Sequence, residues 1–362
     1  MRFAWLVFLF SLSFVYPQTE RERITTENAQ ELSEVQSRTY EETIIRDLTF
    51  QPASGDLFII RLNRFEGLAG DIVPLDENTL NEIPSDQFAK ATAFTFSPDG
   101  SRFALGTGQG EIIVYNTSQW EQISTIHTSV DVVNDIAISP DNAYLGATFG
   151  VSEIVAEREY AFQLFDLVSG EEVASLPPNS ADVYGRGMTF NESGEVVFFS
   201  TVDLASGTGQ VYVGNTRTHE LTETYSGCNA TYGDLLFETK MQVLFCISEQ
   251  GVELLDSTSA TDAVVRNLVV INEGESITQV ALNPDESLLA VGYFKSIRRS
   301  DGGPSVTNAG MIKIYDVETG EELIMLEVPK GAITSLAFSP DGTLLASGGT
   351  DGTVRLWGVV DG

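Results

Sequence analysis

A short turn recurs down this chain at roughly regular spacing, and that repetition restricts the fold more than any other feature. It is clearest where the apolar run Ile333 to Phe338 meets Ser339-Pro340-Asp341-Gly342. A second run, Leu344 to Ser347, ends at a Gly-rich turn holding Asp351-Gly352, and Val354-Arg355-Leu356-Trp357 follows at once. Such runs, punctuated by Pro, Asp and Gly, read as short strands joined by tight turns, because those residues supply the dihedrals that turns need. The turn recurs after an apolar residue at Phe50-Gln51-Pro52, Phe96-Ser97-Pro98-Asp99-Gly100 and Ile138-Ser139-Pro140-Asp141. It continues at Phe190-Asn191-Glu192-Ser193-Gly194, Phe237-Glu238-Thr239 and Leu282-Asn283-Pro284-Asp285. The intervals run from 42 to 56 residues. A unit of this size cannot bury its apolar faces alone, so the copies must pack on one another.

A period of about 40 to 50 residues with four strands per unit predicts an all-β, seven-bladed β-propeller of four-stranded antiparallel blades. The blades are expected to start near residues 43, 91, 132, 185, 232, 277 and 333. Residues 19–362 then form a single propeller domain. The stretch from Ile333 to Val359 resembles a WD40 repeat, with Trp357 at the position of that motif's Trp. The last unit stops at Gly362, too soon after Trp357 for an outer strand, whereas Asn28 to Val35 has the alternation and polar start of the outer strands elsewhere. The resemblance implies that this N-terminal segment, near residues 29–36, closes the ring by pairing as an outer strand against residues 353–358.

Many WD40 blades share a hydrogen-bonded set of His, Ser or Thr, Asp and Trp. The last blade keeps Ser347, Asp351 and Trp357, but Pro329 stands where the His would be. Elsewhere the Trp position holds Tyr115, Phe165, Gly214, Leu255 and Tyr315. With that set mostly lost, stability is expected to come from packing.

The chain has 20 Lys+Arg against 52 Asp+Glu, a formal charge of −32. A field of that sign repels phosphate backbones and anionic lipid surfaces, so nucleic acid is not an expected partner. Residues 1–18 carry one early positive charge followed by an apolar run and then Pro17, the pattern of a secretory signal peptide. The run is short of the roughly 20 residues a spanning helix needs. An exported protein is expected, extracellular or periplasmic, with no membrane insertion after cleavage. The alternative is an uncleaved signal anchoring it at the outer side of the membrane.

Chemistry-bearing residues are few. The two histidines, His127 and His219, fall in different units with no paired Ser nucleophile motif, so neither a catalytic triad nor a His-based metal site is indicated. Gly106-Thr107-Gly108-Gln109-Gly110 lies between two strands rather than before a helix, so it reads as a hairpin turn and not a phosphate loop. Asp131, Asn134 and Asp135 at the start of one inner strand are the weak candidates for a Ca²⁺ site; no other cofactor is suggested.

The function indicated is a non-catalytic scaffold that binds a protein or surface ligand. A propeller enzyme of hydrolase, lactonase or quinoprotein type, with ligands converging on the central channel, is the alternative. The connections Phe149 to Tyr160, Val202 to Gly209 and Phe294 to Gly310 are long. In the resembled family these second-to-third-strand turns share one face, and insertions gathered there mark a binding face. The third contains Phe294, Lys295, Ile297, Arg298 and Arg299, cations beside apolar side chains in an acidic chain, which are the expected contact residues for an acidic partner.

The resemblance also places Cys228 at the family's His position and Cys246 at its second-strand Ser position, nine residues either side of Phe237. Those side chains touch in the family, which implies a Cys228–Cys246 disulfide in an oxidising compartment. Closing a loop of that size stabilises by about 3 kcal/mol in the chain-entropy account. Thiol counting on denatured, unreduced protein should find no free thiol; two free thiols would rule the bridge out.

Overall fold

Every described repeat folds into its own antiparallel sheet, and the sheets stand around a common centre. In this computed structural model the described residues are 21–359, apart from 86–87, 129–131, 151–159, 178–182, 204–207, 226–234, 249–250, 258–263, 273 and 298–305. Strand β1 (Leu32–Thr39) precedes the first blade, which comprises β2 (Thr43–Phe50), β3 (Leu57–Asn63) and β4 (Asp71–Leu75). Blade two is β5 (Ala91–Phe96), β6 (Arg102–Thr107), β7 (Glu111–Asn116) and β8 (Glu121–His127). Blade three is β9 (Val133–Ile138), β10 (Tyr144–Phe149), β11 (Phe162–Asp166) and β12 (Glu172–Leu176). Blade four is β13 (Val183–Phe190), β14 (Val196–Asp203), β15 (Thr208–Asn215) and β16 (Glu220–Tyr225). Blade five is β17 (Leu235–Glu238), β18 (Val243–Ser248), β19 (Gly251–Asp256) and β20 (Val264–Val270). Blade six is β21 (Glu275–Leu282), β22 (Leu288–Ile297), β23 (Val306–Asp316) and β24 (Glu322–Val328). Blade seven is β25 (Ile333–Phe338), β26 (Leu344–Gly349) and β27 (Thr353–Val359), with β1 as its fourth strand.

The fold is the expected seven-bladed propeller, closed by an N-terminal outer strand. Leu32 pairs with Val359 and Thr39 with Thr353, antiparallel along β27. The strand begins at Leu32 rather than near residue 29, because Ala29–Glu31 forms a 3-10 turn. The Asn28 carboxamide oxygen accepts from the Thr25 backbone N–H at 2.8 Å and starts that turn. Polar contacts fasten the seam: Thr39 and Thr353 share a hydroxyl bond of 2.9 Å, and Arg355 reaches Glu34 at 3.5 Å and Asp351 at 2.8 Å.

Blade one departs from the four-stranded expectation. Its sheet has three strands, and where the fourth belongs a single bridge joins Leu75 to Glu82. The segment that replaces it folds toward β1, where Gln36 and Arg38 donate to the Thr79 and Leu80 carbonyls and Arg38 pairs with Glu82. It therefore covers an edge that would otherwise offer unpaired backbone.

The core lies between blades rather than within them. Blades seven and one share Ile45, Leu48, Leu344, Ala346 and Leu356. Phe58, Phe94, Phe96 and Phe103 join blades one and two, and Phe162, Met188 and Phe199 join three and four. The other four junctions have clusters of the same kind. This explains the near-continuous apolar second strands, such as fully buried Val243–Ser248: each face of a blade meets a neighbour. It also explains glycines in strands. A Cβ on Gly106 would stand 2.5 Å from Val133 of the next blade, and one on Gly348 2.6 Å from Ile45.

The repeated turns are built alike. The Ser97 hydroxyl donates to Asp99 at 2.6 Å and accepts from the Arg102 N–H, and Ser139 with Asp141 and Ser339 with Asp341 repeat this. Gly100 and Gly342 take the positive φ that the turn requires, +70° and +74°.

Deleting residues up to Thr39 strips the outer strand from blade seven and leaves β27 unpaired. The truncated protein should aggregate or lose its cooperative melt. The single change Leu32→Ala, at a buried position, should cost about 2–4 kcal/mol. An unchanged melting temperature in the deletion would refute this role for β1.

Candidate functional site: the central channel and its mouth

Inner strands of a propeller face one another, so their first residues line the central channel. Here six of them carry a β-bulge at the same place, near the strand start. The residues it displaces are Arg46, Thr92, Asn134, Arg186, Thr278 and Thr334. A bulge re-aims its side chain relative to the ladder. In four blades that side chain is neutral and donates to a backbone carbonyl: Thr92 to Gly106, Asn134 to Gly185, Thr278 to Gly292 and Thr334 to Ile45. In blades one and four it is an arginine.

The residues after the bulge stitch blades together. The Asp135 carboxylate accepts from the Ile136 N–H at 2.8 Å and, across the junction, from Met188 at 3.0 Å. At the junction of blades seven and one, the Leu48 N–H donates to the Ser335 hydroxyl at 2.9 Å, and Ser335 donates to Asp47 at 3.1 Å. Loss of hydration raises the Asp47 carboxyl above the ordinary value, against the hydrogen bonds from Ser335 and Leu48 and the nearby Arg46. Burial lowers both arginines from theirs, with Asp47 opposing this at Arg46.

The channel encloses about 590 Å³, lined among others by Arg46, Asp47, Asp135, Arg186, Gln279 and Ser335. At its mouth stands the β3–β4 turn of blade one. Arg46 donates to the Leu68 carbonyl at 3.2 Å, the Phe65 N–H donates to Asn63 at 3.0 Å, and Arg64 donates to the Thr43 carbonyl at 3.2 Å. These bonds fix a turn that leaves Phe65 81% and Leu68 48% exposed.

The residues singled out by sequence are only partly brought to this site. Phe294 is half-buried and Lys295 exposed near the end of β22, Ile297 ends that strand, and Arg298 and Arg299 lie outside the described residues. Two of the three connections read as long are partly strand: β14 runs to Asp203 and β15 resumes at Thr208, while β22 and β23 extend to Ile297 and from Val306. Backbone pairing between apolar or Thr-rich flanks lengthens these hairpins, Val202 with Gly209 and Phe294 with Gly310. Of the Ca²⁺ candidates, Asp131 lies outside the described residues, and Asn134 and Asp135 are engaged by the neighbouring blade. Among the described residues no three His, Cys, Asp or Glu side chains group as metal ligands.

In the last blade Trp357 donates its indole N–H to Ser347 at 2.9 Å, as the motif implies. Asp351 instead receives Arg355 and the Thr353 N–H. Cys246 is buried on β18, and no free cysteine occurs among the described residues; Cys228 lies outside them. His127, 3.6 Å from Glu111, and His219 are exposed and in separate blades. Sequence reasoning passed over Arg46, Arg186, Phe65 and Leu68. The available signal was charge on an inner strand, where the other blades place Thr or Asn.

The seven blades, their repeated turns and the Ser–Trp bond are similar to those of WD40 propellers. The family described as "WD domain, G-beta repeat" matches residues 320–358. The Serine-threonine kinase receptor-associated protein of Gallus gallus is 24% identical over 232 residues, 56% of this chain and 62% of its own length. Its Bos taurus counterpart is 38% identical over 101 residues, 26% of this chain and 29% of that one. The WD repeat-containing protein SL1-17 of Schistosoma mansoni is 28% identical over 173 residues, 48% of this chain and 50% of that protein. The chain spans less than two thirds of the length of these curated relatives.

The two kinds of aspartate should respond to pH with opposite sign. Asp47 has a raised folded value, so its contribution is full below the ordinary carboxylate range of about 3.9 and is lost as pH rises through the folded value. Asp99, despite partial desolvation, is held down to about 2 by hydrogen bonds from Ser97, Ser101 and Asn142. Its contribution is present above about 3.9 and lost as pH falls through about 2. Melting curves should therefore show Asp47→Asn gaining on the parent protein as pH rises from 4, and Asp99→Asn losing ground most above pH 4. Parallel profiles for both variants would contradict the assignment.

Proposed function

We propose that this chain is an exported, non-catalytic scaffold that binds another protein at the channel-mouth face. The observation that carries the reading is the β3–β4 turn, which holds an aromatic and a leucine in water on a backbone pinned by Arg46, Arg64 and Asn63. An exposed aromatic on a rigid turn, flanked by arginines, has the chemistry of an interface anchor and loses little entropy when it docks. The corresponding hairpin of blade six carries Phe294 and Lys295 near the end of β22, and the alternation of strand direction puts the two hairpin ends on one face. Protein association is in keeping with the names of the receptor-associated relatives. Export rests on the signal-like composition of residues 1–18.

The channel offers less support for the propeller-enzyme alternative. Asn134 and Asp135 hold blade three to blade four instead of presenting free ligands.

The test uses immobilised protein and an extract of its native cell surface, with the variant Phe65→Ser/Leu68→Ser beside the parent. Both side chains are exposed, so the melting temperature should stay within about a degree or two, while capture falls by about tenfold or more. Undiminished capture by the variant would remove this turn from the interface. Cell fractionation that finds the protein wholly inside would defeat the export half alone.

A further inference from the structure

The ring of inner-strand bulges contains an imbalance that blade packing does not explain. Four of its six side chains are neutral and satisfied by backbone carbonyls, whereas two are guanidiniums lining one cavity from blades that are not neighbours. Cations are outnumbered in this chain, 20 Lys+Arg against 52 Asp+Glu, yet two of them stand at these positions. Among the described residues neither guanidinium pairs with a carboxylate within 4 Å, unlike Arg38, Arg61, Arg217 and Arg355. Arg46 spends one donor on the Leu68 carbonyl, and Arg186 has a buried Nε with no hydrogen-bond partner. A guanidinium carries five donors, and taking them from water without an acceptor is unfavourable.

The carboxylates of the same ring do not answer this need. Asp47 accepts from Leu48 and Ser335, and Asp135 from Ile136 and Met188, so both are oriented by the junctions they fasten. Gln279 of blade six also lines the cavity, and its carboxamide makes no hydrogen bond with the described residues. Donors thus approach one space from blades one, four and six.

We propose that the channel mouth binds an oxyanion group, a carboxylate or a phosphate, between Arg46 and Arg186, with the Gln279 amide as a further donor. Two planar forks suit such a group, whose oxygens accept paired N–H bonds. The acidic surface does not forbid it, because the site is local and partly shielded from bulk water, where a close charge-assisted bond outweighs distant screened repulsion. Gly185, on the N-terminal side of Arg186, lets the strand approach blade three; a Cβ there would stand 2.2 Å from the Ala161 carbonyl oxygen. The backbone that aims Arg186 is therefore tightly held. The oxyanion arrives either free in solution or as the acidic side chain of a partner segment; Arg46 is shared with the Phe65 turn, whereas Arg186 makes no hydrogen bond to it, so the Arg186 variants separate the two sites.

Calorimetry and thermal melts on the purified protein test it, with inorganic phosphate, succinate and a capped tri-glutamate peptide as probes and sodium chloride at matched ionic strength as reference. At least one probe should bind saturably and raise the melting temperature beyond the chloride reference. A preference for the peptide identifies a partner-borne carboxylate, and a preference for phosphate or succinate a free anion. Arg186→Gln and Arg46→Gln should each weaken binding about tenfold or more, the loss expected for a hydrogen-bonded charge. Arg217→Gln, at an exposed pair with Glu195, should change nothing. Arg186→Lys keeps the charge without the fork and should bind more weakly than the parent, which covers the case where Arg186→Gln does not fold. No saturable binding of any probe, or equal binding by the parent and the Arg46 and Arg186 variants, would overturn the proposal.

Discussion

Everything in this molecule depends on packing between blades. A single four-stranded sheet has two apolar faces and no interior, and each face here is closed by the next sheet around the ring. Leu48 and Leu356 meet across one junction, Val133 and Ala104 across another, and Ile333 and Ile312 across a third. A ring built this way has no terminal repeat to cap, but it must be joined somewhere. The join is made in blade seven, where β1 supplies the strand that β27 lacks. Arg355, almost buried, holds Glu34 from one end of the chain and Asp351 from the other. The seam is thus sealed by backbone pairing, by cross-strand hydroxyls and by one shared cation.

Polar groups inside the sheets are treated blade by blade. In the last blade the indole of Trp357 and Ser347 satisfy each other. Blade six puts Tyr315 where blade seven has Trp357 and partners it differently: Tyr293 and Tyr315 share a hydroxyl bond of 3.0 Å, and Lys313 lies over the Tyr293 ring, 3.2 Å from Glu322 and 4.0 Å from Glu275. Burial pushes the Tyr315 phenol up to about 12 and Tyr293 higher still, so both remain neutral donors throughout the physiological range. Blade two has neither arrangement and fills the space with rings, Phe58, Phe96, Phe103 and Trp120, at centroid separations of 4.8–6.2 Å. Aromatic packing of this kind needs no polar partner. The repeat therefore preserves its turns more than its internal hydrogen bonds.

That difference explains what could be read from sequence. The Ser-Pro-Asp-Gly turns are local, since Ser97 and Asp99 bond within a few residues, and local chemistry leaves a pattern in the chain. The blade number and the closing strand followed from turn spacing and the missing outer strand. The lost fourth strand of blade one was not legible, because residues 76–90 contain enough apolar positions to suit a strand. What decides against it is tertiary: Phe88 packs against Phe58, Phe103 and Trp120, drawing the segment away from β4. The bulges were equally hidden. A bulge shifts one residue in a ladder, and only the pairing register reveals that Arg46 and Arg186 hold the position occupied elsewhere by Thr or Asn.

The distribution of constraint follows from the same geometry. Inner-strand residues after the bulge are fixed on both sides, within the sheet and across the junction, as Asp135 and Ser335 show. Side chains such as Phe65 and Leu68, on the second-to-third-strand turn of blade one, stand in solvent and can vary without disturbing the ring. Between these extremes sit bulge side chains such as Arg46, Asn134 and Arg186, anchored by a rigid backbone yet lining the channel. A position of that kind can exchange a threonine for an arginine at little cost to the sheet, since only the side chain's own hydration is at stake. Recognition chemistry can therefore enter such a ring at its bulges and turns while the interblade core, which carries the stability, remains unaltered.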